Sequence, residues 1–159
     1  MKDSIGFILV LLALHPSVAQ KIQNLDDFPE LEKVIQSAVT NLEHREREDR
    51  SILVFKHGGE NPFTGWFKQV RETGKLRSLE EYKNGKLHGR ATRWYSNGQK
   101  KDESLYQNGR VISIVVWKPN GEKCSDTKLI NGNGVWVRYD ENGTESWRSN
   151  YRNGQYLLN

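Results

Sequence analysis

Outside an apolar leader, the side chains that could carry chemistry are His44, His57, His88, the single cysteine Cys124 and a scatter of carboxylates. A metal site needs several such ligands at defined spacing, and the three histidines stand apart from one another, so each reads as an ordinary surface or turn residue. Cys124, beside Ser125 and Asp126, would act as a nucleophile only with a base in reach. No histidine falls in its own repeat unit or the next, which leaves it as a small strand residue. A lone cysteine also excludes an intramolecular disulfide. Glu80 and Glu81 would point to opposite faces of a strand and Asp140-Glu141 falls on a turn, so no carboxylate pair of the glycosidase kind is set up. No glycine-rich loop leads into a helix to cradle a phosphate. The expectation is a protein that is not an enzyme, with no catalytic residues, no cofactor and no metal.

The residues that do recur are structural. Gly74, Gly98, Gly121 and Gly143 form one series at steps of 24, 23 and 22, and Gly85, Gly109, Gly132 and Gly154 form a second, each 11 residues after its counterpart. Asparagine precedes all of them except Gly74, which follows Thr73. Asn-Gly supplies the positive φ values of a tight two-residue hairpin turn, so the eight glycines predict an antiparallel meander of short strands. Four residues before the first series stand Val70, Trp94, Trp117 and Tyr139; three before the second stand Tyr82, Tyr106, Leu129 and Tyr151. Equivalent positions share a face, so each set predicts a column of large rings forming the core. Ile52 to Lys56 and Phe63 to Gln69 read as two further strands that begin the sheet.

Upstream, Leu31, Val34, Ile35, Ala38, Val39 and Leu42 recur at helical spacing, with Asp27 as cap and Pro29 in the first turn, predicting one amphipathic helix that covers the start of the sheet. It is expected to fray into the charged run Glu43 to Arg50. Before it, Lys2, the apolar run Ile5 to Leu14 and the small residues Ser17 and Ala19 predict a secretory signal cleaved after Ala19. The run is too short for the roughly 20 residues of a membrane-spanning helix. The organisation expected is therefore a signal peptide over 1–19, a helical extension over 20–50 and a hairpin repeat domain over 51–159, in an exported, periplasmic or extracellular protein. Charge divides along the same line. Residues 63–159 hold 17 Lys and Arg against 10 Asp and Glu, while residues 20–62 hold 6 against 9. A modest excess spread over many strands is a solvated sheet face rather than a nucleic-acid footprint.

The stretches WYSNGQKKDESLYQNGRV and RYDENGTESWRSNYRNGQ, with the entry Pro62-Phe63-Thr64-Gly65-Trp66, resemble the variant MORN repeat family, of the toxin-antitoxin system antitoxin type, over residues 63–159. The helix with its Leu25-Asp26-Asp27 start is similar to the N-terminal part of exported bacterial members. The resemblance implies a sheet of β-hairpins and a role in binding. Two features depart from it. Leu129 stands where a tyrosine is expected, and the glycine four residues after the second turn is present only as Gly89, so the sheet is expected to be least regular around residues 124–134.

A broad shallow sheet suits a protein partner better than a small molecule. Large aromatic and cationic side chains outside the columns are the expected contacts: Arg93, Trp136, Arg138, Trp147 and Arg148. The alternative is a passive envelope protein held by its basic sheet to anionic lipid or cell wall, and immunity against a toxin is a special case of the first reading.

Overall fold

A computed structural model describes residues 28–47 and 51–157. The signal over 1–19, the Asp27 cap and the end of the charged run at 48–50 lie outside the described residues. The chain divides into two compact units at Gln36/Ser37.

The helix α1 runs Phe28–Ser37. Along it Leu31, Val34 and Ile35 are half-buried while Glu32, Lys33 and Gln36 are exposed, which is the amphipathic pattern that their spacing predicts. It stops short of Ala38, Val39 and Leu42. Val39, within the second unit, instead lies in parallel alongside the strand Gly65–Val70, its N–H donating to the Trp66 carbonyl at 2.9 Å and its carbonyl accepting from Lys68 N–H at 2.8 Å.

The charged run is a strand rather than a frayed helix. β1 (Leu42–Glu46) pairs antiparallel with β2 (Ile52–Lys56) as a separate two-stranded sheet, so a boundary at 50/51 cuts through a hairpin. β2 carries Leu53, Val54 and Phe55, all buried. The apolar strand thus supplies the drive, and β1 completes its hydrogen bonds. β2 does not open the main sheet. It docks on a turn of it, Val54 N–H donating to the Gly85 carbonyl at 3.0 Å.

The main sheet has nine strands in simple sequence order: β3 (Gly65–Val70), β4 (Leu76–Lys83), β5 (Lys86–Trp94), β6 (Lys100–Gln107), β7 (Arg110–Val116), β8 (Lys128–Ile130), β9 (Asn133–Tyr139), β10 (Glu145–Arg152) and β11 (Gln155–Tyr156). It is the antiparallel hairpin meander that the glycine spacing predicts. One cross-strand row runs through all nine strands as Phe67, Glu80, Ala91, Ser104, Ile114, Leu129, Gly134, Tyr151 and Tyr156, which defines a single face. No helix among the described residues is long and apolar enough to cross a membrane.

The two glycine series make different turns. In the second, both residues are left-handed, as at Asn84 (φ 50°) and Gly85 (φ 74°), the two-residue geometry expected of Asn-Gly. In the first, only the glycine is left-handed. Gly98 N–H donates to the Tyr95 carbonyl at 3.0 Å, Tyr95 N–H to the Gln99 carbonyl at 2.9 Å, and Asn97 works through its side chain, Oδ1 accepting from Gln99 N–H at 2.9 Å. A non-glycine residue there keeps an ordinary φ, which is why Thr73 can replace asparagine before Gly74.

The core also differs from the aromatic columns. Leu79, Ala91, Val111, Val116, Leu129 and Val137, together with Tyr95 and Trp136, are essentially inaccessible, whereas Val70 of the first column is 47% exposed and Tyr82, Tyr106 and Tyr151 are half-buried. Leu129 and Tyr139 are the column members that do enter the core; the other members are half-buried or exposed. Around residues 124–134 the sheet is irregular as expected: β8 is three residues long and meets β7 through one pair, Ile114 with Leu129. Cys124 lies in the loop before β8, buried against the Tyr139 hydroxyl at 3.3 Å, and not in a strand.

Candidate functional site

The one-glycine turns of the first series make β-bulges. After Gly74 the register slips between Gln69/Val70, which leaves Arg77 opposite no residue of β3; after Gly98 it slips between Arg93/Trp94, which leaves Lys101 opposite no residue of β5. A bulge bends its strand and re-aims the extra side chain. After Gly143 a third such slip leaves Ser146 opposite no residue of β9; all three stand three residues after a first-series glycine, and the first two are cations. Beside them runs the row Gln69, Ser78, Arg93 and Asp102, one residue from each of four adjacent strands.

These residues line a cleft of about 370 Å³ with Arg71, Trp94, Arg138 and Glu141. Arg138 and Glu141 come from the last repeat. The turn after β9 folds over this end of the sheet, Glu141 Oε2 accepting from Ser96 Oγ at 2.8 Å and from Ser96 N–H at 3.1 Å, while Oε1 stands 3.7 Å from Arg71. Five cations (Arg71, Arg77, Arg93, Lys101 and Arg138) therefore share one cleft with two carboxylates.

Asp102 is the pivot. It is 2% exposed, with Oδ2 3.8 Å from Arg93 and Oδ1 buried without a hydrogen-bond partner. Burial pushes its carboxyl up, and the neighbouring Arg93, Arg138 and Lys101 only partly reverse this. Arg93 also lies 3.9 Å from Glu80; burial works against its charge, but Asp102 and the other acidic neighbours outweigh burial and raise it. For Arg138 the balance tips the other way. Burial and then repulsion from Arg93 lower its basicity, with Asp102 an incomplete offset. Its guanidinium is 4.3 Å from the Trp136 ring centroid and 4.5 Å from that of Trp147.

A second cavity of about 490 Å³ lies at the other strand end, lined by Tyr106, Gly109, Val111, Trp136, Tyr151, Gly154, Gln155 and Tyr156. Trp136, Trp147, Tyr151 and Tyr156 form a continuous ring cluster, with neighbouring centroids 5.6 to 6.5 Å apart.

Of the five contacts expected from sequence, Arg93 and Arg138 line the cleft and Trp147 covers Arg138 from the same face. Trp136 is 2% exposed and belongs to the core, which corrects its reading as an outward anchor. Its ring supports Arg138 from inside. Arg148 is opposite Val137 on the other face and is held by Glu145 at 2.7 Å, with Asp126 at 3.6 Å. Arg71, Arg77, Lys101 and Asp102 were missed. Arg77 and Lys101 stand in the third position after Gly74 and Gly98, a signal readable only once those turns are known to end in bulges. Among the described residues no group of three or more His, Cys, Asp or Glu is placed to hold a metal ion. His57 lies 3.3 Å from Glu43, and His88 3.2 Å from Asn108.

Residues 87–108, which span most of β5, the following turn and all of β6, match the family model described as MORN repeat variant. Comparison with curated proteins and with solved structures gives no match. The match supports the MORN-variant reading of this chain, and repeats of this kind are non-catalytic interaction modules.

Proposed function

We propose that this chain is an exported, non-enzymatic module that binds another protein through the face bearing the basic cleft. The observation that carries this reading is the gathering of five cations from three repeats beside a packed aromatic cluster. Buried rings flanked by Arg are the usual composition of an interface centre. Export rests on the leader, with its apolar run Ile5 to Leu14 ahead of Ser17, Val18 and Ala19. Immunity against a secreted toxin is one form that such binding takes.

A surface attraction to anionic lipid or cell wall is the competing role, favoured by the cationic excess of residues 63–159. Salt separates the two, because exposed charge attraction is screened while a desolvated interface persists. The test is capture from envelope and secreted fractions with residues 20–159 at low and high salt. One protein retained at high salt and lost on Arg138→Gln, with the fold intact by circular dichroism, supports binding through this face. Retention only of lipid or wall material that washes off with salt overturns it.

A further inference from the structure

We infer that the basic cleft is a receptor for a carboxylate, supplied by an aspartate or glutamate side chain in an acidic segment of the protein partner. The inference rests on the protein-binding reading above and specifies its chemistry.

The two carboxylates already in the cleft are engaged. Asp102 faces Arg93, and Glu141 is held by Ser96 and Arg71. Arg93 is shared between Glu80 and Asp102. Arg77, Lys101 and Arg138 are in none of the salt bridges among the described residues.

Arg138 is the most specific of the three. With Trp136 and Trp147 both within cation–π distance of its guanidinium, the rings hold the group, and its Nε is buried without an acceptor. The two rings stand at 90° to each other, so the guanidinium can lie flat on only one of them; its free N–H donors are of the kind that bind a carboxylate through two parallel hydrogen bonds. A carboxylate there would also offset the repulsion between Arg93 and Arg138.

Charge makes the cleft an anion site: five cations against Asp102 and Glu141 leave an excess of positive charge that attracts a carboxylate. At about 370 Å³ the cleft has room for an acidic side chain and its backbone. Exposed Arg77 and half-buried Lys101 then stand at the rim, where they draw in further acidic residues of the segment.

The test is fluorescence anisotropy of a labelled, end-capped peptide carrying two glutamates, against the same peptide with glutamines, with inorganic phosphate and phosphatidylserine vesicles as competitors. The glutamate peptide should bind, and the glutamine peptide should bind at least about tenfold more weakly. Arg138→Gln should cost roughly tenfold and Arg77→Gln or Lys101→Gln roughly threefold, while Arg148→Gln on the opposite face leaves affinity unchanged. The rim variants keep the test valid should Arg138→Gln disturb the ring cluster. Equal binding of both peptides, equal loss from Arg148→Gln, or displacement by phosphate or vesicles at lower concentration than by free glutamate peptide overturns the inference. A captured partner that is lost on Arg138→Gln yet not displaced by the glutamate peptide leaves protein binding standing and removes only the carboxylate.

Discussion

Between β3 and β6 the sheet buries Ser78, Arg90, Thr92, Asp102 and Ser104 alongside Leu79, Ala91 and Tyr95, whereas between β7 and β10 it buries Val111, Ile114, Val116, Cys124, Leu129, Trp136, Val137 and Tyr139 with only Ser149 polar or charged. Both halves are antiparallel hairpins, although in the second β8 is only three residues long. Five residues before the first-series glycines stand Gln69, Arg93, Val116 and Arg138, so equivalent positions hold an amide, an apolar side chain and two arginines. Turn glycines and strand pairing therefore specify the repeat, and composition is free to differ between its two halves. The later hairpins bury enough apolar surface to anchor the sheet. The earlier ones hold buried polar groups that cost stability unless partnered, and two of these, Ser78 and Asp102, line the cleft.

Substitutions can break that comparison. Trp136→Ala should lose about 3–5 kcal/mol in urea denaturation, since it opens a cavity in the apolar half. Ser104→Ala in the polar half should lose only about 1 kcal/mol, the worth of its 3.3 Å bond to the Ala91 carbonyl. Similar losses would mean that both halves carry the fold equally. The turns sharpen it further. Asn153→Thr forces a β-branched residue to a φ of 51° and should cost about 1–2 kcal/mol, whereas Asn97→Thr, at an ordinary φ, should cost less than about 1 kcal/mol; paired thermal melts read the difference.

The smallest effect is in pH. Burial raises the Asp102 carboxyl above its ordinary 3.8, so the folded chain holds that proton more tightly than the unfolded chain. Its stabilising contribution is full below about 3.9 and is lost as pH rises through the raised folded value. Asp102→Asn should remove that slope, and urea midpoints followed upward from acid pH should move in favour of the variant. A midpoint difference independent of pH would show that Asp102 stays as acidic folded as unfolded.

How much was legible depended on whether the signal was local. The helix core over Leu31 to Ile35 and the meander follow from periodicity and Asn-Gly pairs alone, because backbone dihedral preferences and side-chain spacing act within a few residues; the weak third repeat was legible from the departure of Leu129 from the pattern of the family that the repeats resemble. The strand Leu42–Glu46 was hidden, since its charged residues carry no apolar alternation and only pairing with Ile52–Lys56 makes them extended. Trp136 looked like a surface anchor because nothing in its own strand says that Trp147, Tyr151 and Arg138 enclose it.

Turn positions, strand order and the excess of basic residues in the repeats were thus written in the chain, since glycine at positive φ and a period of two are one-dimensional facts. The cleft was not. It exists because bulges turn Arg77 and Lys101 out of the pairing register and because the turn at Glu141 reaches Ser96, 45 residues away, which brings Arg138 to Arg93 across a shortened β8. Contacts at that separation depend on how the sheet curls, and curl is a sum over every strand rather than a property of any one.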